Sequence, residues 1–420
     1  MSEEAGFEPH PEAHLKTVSS RTGNESRQRF WFSLVAINSL AVTYYFNYLF
    51  FYMSDHFGFG NRENLLLTVM HGAIYAICAW NSGRFAHRFG YLFSLRLGFF
   101  GMLGVTVLAG ITPHVFGYSP AALVAQCALL AVWTCSICLT WPTLQALLTH
   151  DQPAASMPHT AGLYNVVWAS TSALGYCTGG ALMHTFGGEA LFWVAAGLHL
   201  FELLMLSRTK ELPSPTQSTG SIAPELLEHR RPIARTPTFL HLAWLANPFA
   251  YIAINGLLPV IPTLAARLGL NSAAAGAICS VWFWVRLAAF VWFWQWPGWH
   301  YRFRWLLAAF IALGAGFTAI LMSPSIWMLI VSQVVFGLAV GLIYYSSLFY
   351  SMDRGESKGT RGGFHEAAIG VGVCSGPAVG ASALLMVPDH PQAGMWAIST
   401  VLFLGLIPFL LIRLKGFKSP

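Results

Sequence analysis

Charged residues make up only 10% of this 420-residue chain, against roughly a quarter in a soluble globular protein. That scarcity excludes water as the main solvent of its surface. Acids are scarcest of all: only Glu202 and Glu366 fall inside or at the edge of an apolar segment. A metal-ion path needs several carboxylates or thiolates, so no metal and no cofactor are expected. The chain also lacks HExxH, GxSxG and any serine and histidine arrangement at membrane depth, so it does not read as an enzyme. Its seven cysteines all lie in apolar blocks, which excludes a secreted disulfide framework; Cys135 and Cys138 read as small buried hydrophobes. No cleavable leader is expected, because the first 29 residues are polar and carry Lys16, Arg21, Arg27 and Arg29. The net charge of +6 is spread over many short loops, which argues against a nucleic-acid partner.

What is present in excess is apolar length: 55% of the residues are hydrophobic, in unbroken blocks able to cross a hydrocarbon core of about 30 Å. The blocks run Phe30 to Met53, Leu65 to Gly83, Tyr91 to Ile111, Ala121 to Leu148, Ala161 to His184 and Ala190 to Leu206. After a polar gap come Phe239 to Ala265, Ala273 to Trp294, Trp305 to Met322, Ile326 to Tyr350, Phe364 to Met386 and Met395 to Ile412. The predicted fold class is an all-α membrane protein of twelve helices in two six-helix bundles related by a pseudo-twofold axis. Its expected divisions are a cytoplasmic tail over 1–29, a bundle over 30–206, a cytoplasmic linker over 207–238, a second bundle over 239–412 and a cytoplasmic tail over 413–420.

Orientation follows from the basic residues. With the N-terminus inside, twenty of the 23 Lys and Arg face the cytoplasm, Arg62 and Arg267 lie outside, and Arg286 sits within a span. The positive-inside rule then places both termini in the cytoplasm, and a plasma membrane, such as a bacterial inner membrane, is the expected location.

Lipid-facing helices exclude polar groups, whereas cavity-lining helices carry them. Spans three, nine and twelve are almost purely apolar; span six adds only His199 and Glu202, with Glu202 expected to snorkel to the inner surface. Tyr52, Trp327 and Trp396 read as interface anchors. Every third span is bland, which predicts three-helix units repeated four times around a central cavity. The polar and aromatic residues of the other spans are the candidate substrate cavity: Tyr45, Tyr48, His71, Tyr75, Tyr164, Trp168, Asn247, Tyr251, Asn255, Trp282, Arg286 and Tyr344. Glycines at 175, 179 and 180 in span five and at 372, 376 and 380 in span eleven let helices approach closely.

The loop after span two reads Gly83, Arg84, Phe85, Ala86, His87, Arg88, Phe89, Gly90. It resembles the G-x-L-x-D-R-x-G signature of the major facilitator superfamily, with Gly83, Arg88 and Gly90 matching and His87 standing where the acid is expected. The resemblance implies two bundles rocking about a midplane site, usually driven by a proton or sodium gradient, with this loop as a cytoplasmic latch. On that basis the chain reads as a secondary active transporter of a small organic solute, coupled to a proton, monomeric, with membrane lipid as its surroundings. The alternative from another class is a membrane sensor or scaffold of the same fold that transports nothing.

Arg286 lies about eight residues, or roughly 12 Å, from the inner end of span eight. A buried cation requires a partner. By depth Glu366 is the candidate, and His365 beside it points about 100° away on a helix; these three residues form the expected ion pair or proton-coupling group. His87 could meet Glu366 across the halves in place of the missing acid, and His71 is a second candidate proton carrier.

Overall fold

The computed structural model describes residues 11–149, 157–209, 236–353 and 360–416, with side chains over 26–149, 159–209, 237–351 and 368–416. Within these residues every regular element is helical. The membrane helices are α1 (Ser26–Phe57), α2 (Asn61–Phe89), α3 (Tyr91–Phe116), α4 (Pro120–Thr149), α5 (Met157–Phe186), α6 (Ala190–Ser207), α7 (Pro237–Arg267), α8 (Ser272–Gln295), α9 (Phe303–Met322), α10 (Ile326–Ser351), α11 (Thr360–Met386) and α12 (Ala393–Gly416). All but α5 are apolar enough along 18 residues to be spans by composition alone; the serines, threonines and glycines of α5 hold it back. Most of the expected linker, residues 210–235, lies outside the described residues, as does the start of the N-terminal tail. The helix that becomes α1 already begins at Pro11, well before the apolar run.

Besides the interruptions of α8 at Ser280 and α12 at Gly405, three spans are broken, two of them by proline. In α4 the first helical segment ends at Cys138, because Pro142 has no N–H for the carbonyl four residues back and its ring crowds that carbonyl. Thr140 Oγ1 repairs the break, donating to the Ile137 carbonyl at 2.9 Å and accepting from Asn38 Nδ2 at 3.3 Å. In α7, Pro259 and Pro262 force a 3₁₀ turn over Leu258–Val260. A five-residue π turn, Thr43–Asn47, interrupts α1. These breaks fall in the first helix of three of the four three-helix units.

Helix α3 packs on α4 and α6, and α9 on α10 and α12, whereas the main contacts between halves are α2 with α11 and α5 with α8. Helices α3, α6, α9 and α12 therefore stand at the outside, where their low polarity suits lipid. The inter-half seams depend on residues without side chains. An added Cβ on Gly180 would run into the Ser272 carbonyl and lie 3.0 Å from the Gly276 Cα. On the other seam a Cβ on Gly72 would lie 2.7 Å from the Cys374 Cα, and one on Gly370 2.7 Å from the Ala76 Cα. Backbones this close exclude any larger residue.

Three expectations need correction. Glu202 does not snorkel: it is 0% exposed, inside the first bundle, and bonded to the equally buried His199 at 2.8 Å. The pair shares one hydrogen bond, and His199 Nε2 and Glu202 Oε1 stay buried without a partner. Tyr52 is no interface anchor; it is 1% exposed, with its ring 4.8 Å from Phe192. Cys135 is exposed rather than buried, with its sulfur 3.5 Å from Cys78.

Candidate functional site

The site grows out of one helix turn. Helix α8 is interrupted at Ser280, so the Trp282 N–H and the Ile278 carbonyl, normally partners, separate. The Gln333 amide of α10 inserts between them: its oxygen accepts from the Trp282 N–H at 3.4 Å and its NH2 donates to the Ile278 carbonyl at 2.9 Å. That splint fixes the start of the second α8 segment. From there the i, i+3, i+4 geometry sets Phe283, Arg286 and Phe290 along one face, with Trp282 beside them.

Arg286 is 5% exposed. Its guanidinium carbon lies 4.6 Å from the ring centroid of Trp168, on α5 of the other half, and 5.1 Å from those of both Trp282 and Phe283. Trp168 in turn packs 5.6 Å from Tyr344 and 5.8 Å from Phe290. Tyr251 of α7 and Tyr344 of α10 are within electrostatic reach of the guanidinium. Trp168 is itself held at both ends: its indole N–H donates to Asn165 Oδ1 at 3.0 Å, and Ser39 of α1, itself bonded to Ser172 at 2.8 Å, donates to its carbonyl at 2.8 Å.

Among the described residues no carboxylate pairs with Arg286, and its Nε and Nη2 atoms have no hydrogen-bond acceptor. Each aromatic face offers about 0.5–2 kcal/mol. Burying an ion costs several kcal/mol, so the rings alone leave the cation under-compensated. Two further buried donors of the same cluster, Trp282 Nε1 and Asn165 Nδ2, also lack acceptors.

Of the twelve expected cavity residues, Trp168, Tyr251, Trp282, Arg286 and Tyr344 come together here. The others are held by different contacts or lie buried on their own helices. Tyr45 turns into the first bundle, 4.8 Å from Trp133 and 5.8 Å from Phe192. Tyr48 packs on Tyr176 at 5.4 Å and bonds its carbonyl, beside Gly179 and Gly276. His71 bonds Thr134 Oγ1 at 2.8 Å, with Tyr75 6.0 Å away. Tyr164 accepts from Gln145 at 3.1 Å, joining α5 to α4. Asn247 and Asn255 are buried on α7, the latter donating to its own Tyr251 carbonyl at 3.0 Å. The face of α1 bearing Tyr45, Tyr48 and Tyr52 meets α4, α5 and α6, with only the Tyr48 hydroxyl reaching Gly276 of α8. Phe283, Phe290, Asn165 and Gln333 were not among the expected site residues, although their spacing from Arg286 and Trp168 was the available signal.

The side chains of His365 and Glu366 lie outside the described residues, so the expected pair with Arg286 does too. In the latch loop, Gly83 has open space around it, Gly90 ends α2 at φ 95°, and His87 and Arg88 are exposed, with Arg88 5.3 Å over the Phe89 ring. A groove of about 760 Å³ lies apart from the Arg286 cluster, on the outside where α1 and α6 meet, lined by Arg27, Phe30, Trp31, Phe201, Leu204 and Arg208 among others.

Residues 3–176 match the model of the Major Facilitator Superfamily. No curated protein matches the sequence. The solved structure of the xylose transporter XylE from E. coli, in a partially occluded inward-open conformation, superposes with a TM-score of 0.70 at 13% identity, covering 94% of this chain and 98% of that one. The chain shares the fold of that transporter over nearly its whole length. The nucleoside transporter NupG gives a TM-score of 0.66 at 13% identity, with coverage of 92% and 99%. The human organic anion transporter MFSD10 gives 0.62 at 17% identity, covering 93% and 99%. These likenesses show the twelve-helix fold and leave the site to be argued from its own residues. In that fold the α5 and α8 seam stays closed along its length here: Gly180 meets Gly276 near one end, and Gly162 and His159 meet the Trp294 ring at the other.

Proposed function

We propose that the protein is a secondary active transporter that carries a small organic solute across the membrane by alternating access, coupled to a proton. The observation that supports this reading is the Arg286 cluster itself. It is buried at the junction of the two halves and takes rings from both, so a solute seated there would be released to whichever side the halves part on. The glycine seams on either side of it are built to come together and separate as rigid faces. The proposed proton-exchanging groups are His365 and Glu366 on α11, with Glu366 neutralising Arg286 when the site holds no solute. The latch over Gly83, His87, Arg88 and Gly90 is proposed to close the cytoplasmic side, with both termini on that side of a plasma membrane and the chain acting as a monomer.

The test is uptake into liposomes holding the purified chain, with and without an imposed pH gradient, for solutes that raise its melting temperature. Gradient-driven accumulation supports the reading; equilibration without accumulation removes the coupling, and no flux of any stabilising solute removes transport. Exchanging the charges of Arg286 and Glu366 should restore part of the activity lost in either single variant, and absence of rescue counts against their pairing.

A further inference from the structure

Four unpaired polar atoms of the Arg286 cluster share one character. Arg286 Nε and Nη2, Trp282 Nε1 and Asn165 Nδ2 are all buried N–H donors, and none has an acceptor. A site poised for a neutral sugar or nucleoside would present acceptors as well as donors, because hydroxyls donate and accept. Here the missing group must bring lone pairs, and with the guanidinium unpaired by any described carboxylate it must also bring negative charge. A single guanidinium matches a single charge, which favours a monocarboxylate over a phosphate. The free Nε and Nη2 atoms form one edge of the fork that a carboxylate grips with two parallel hydrogen bonds. The surrounding walls are flat and apolar: Trp168 and Trp282 flank the guanidinium, and Phe290 and Tyr344 continue the surface from Trp168.

We propose that the solute is an organic anion, a small monocarboxylate with a flat or apolar body, held with its carboxylate on Arg286 and its body against Trp168 and Trp282. This rests on the transport reading for what happens after binding, but the binding itself does not. The solute's carboxylate supplies the counter-charge that no described residue gives Arg286, displacing Glu366 where that residue neutralises the empty site, and the rings cover the rest of the molecule.

The experiment is calorimetric titration of the full chain in detergent with acid and amide pairs: benzoate and benzamide, phenylacetate and phenylacetamide, hexanoate and hexanamide. At least one acid should bind, with its amide weaker by roughly tenfold or more, since the amide keeps the shape and loses the charge. Arg286→Gln should abolish the acid's binding, while Arg286→Lys should retain part of it. Equal binding of acid and amide, undiminished binding to Arg286→Gln, or no binding by any acid overturns the proposal. So does acid binding that emerges only in Glu366→Gln, because Arg286 is then already neutralised in the native protein. Should Arg286→Gln fail to fold, the acid and amide pairs on the native chain still decide. Flux measured on the same native protein separates the two readings. Acid binding without flux removes transport and leaves the anion site; flux of neutral solutes that persists in Arg286→Lys and Arg286→Gln removes the anion site and leaves transport.

Discussion

The guanidinium of Arg286, on α8 in the second half, rests 4.6 Å from the ring centre of Trp168, on α5 in the first. This contact joins the two bundles through a charge and a ring face, neither of which can be replaced by simple apolar packing. It also sits beside the α5 and α8 seam, so any motion that parts the halves on one side changes it.

Trp168→Leu should therefore weaken solute binding while leaving the fold intact. A cation and ring contact of this type is worth about 0.5–2 kcal/mol, a loss of several-fold in affinity, and Trp168→Phe should retain part of it. Calorimetry with the tightest-binding solute checks both; an unchanged affinity in Trp168→Leu would remove the ring from the site.

Gly180→Leu should prevent closure near the Gly276 end of the seam, because the new side chain would occupy the space of the Ser272 carbonyl and the Gly276 backbone. The expected protein is folded, inactive in transport and held open on the side away from the chain ends. Cys279, 2% exposed and one turn from Gly276, should become reactive to a membrane-impermeant thiol reagent applied from that side. Native-like protection of Cys279 would show that the seam tolerates the change.

Gln333→Leu removes the splint between the Trp282 N–H and the Ile278 carbonyl. Two buried backbone groups lose partners at about 1–3 kcal/mol each, so a clear fall in melting temperature is expected, together with weaker binding as Arg286 loses its anchored helix. Gln333→Glu keeps one acceptor and should fall between; a Gln333→Leu protein as stable as the native one would mean that the helix heals itself.

The His199 and Glu202 pair, fully enclosed at 2.8 Å, makes a different prediction. Either single change to Leu strands a buried polar group, costing about 1–3 kcal/mol. The double change to Leu and Leu removes both and should cost less than the sum of the singles. Thermal unfolding of the three variants checks this, and additive losses would show that the two side chains are not coupled.

Much of the architecture was legible before any coordinates, because a bilayer permits few ways to cross it. Long apolar runs had to be helices, and polarity had to separate inner from outer spans. The importance of Arg286 was equally plain, since a lone cation at that depth demands an explanation. What the sequence could not decide was direction around each helix axis. Tyr45, Tyr48 and Tyr52 recur at helical spacing and share a face, yet only packing determines that this face meets α4, α5 and α6. Glu202 stands near a helix end in the sequence, but whether it reaches for water or for His199 depends on which neighbour its side of α6 meets. Among the partners of Arg286, Trp168 lies more than a hundred positions away, brought near by the seam between halves. Periodicity fixed which residues lie together on a helix, and tertiary packing alone, through backbones that touch at Gly72, Gly180, Gly276 and Gly370, decided what those faces meet.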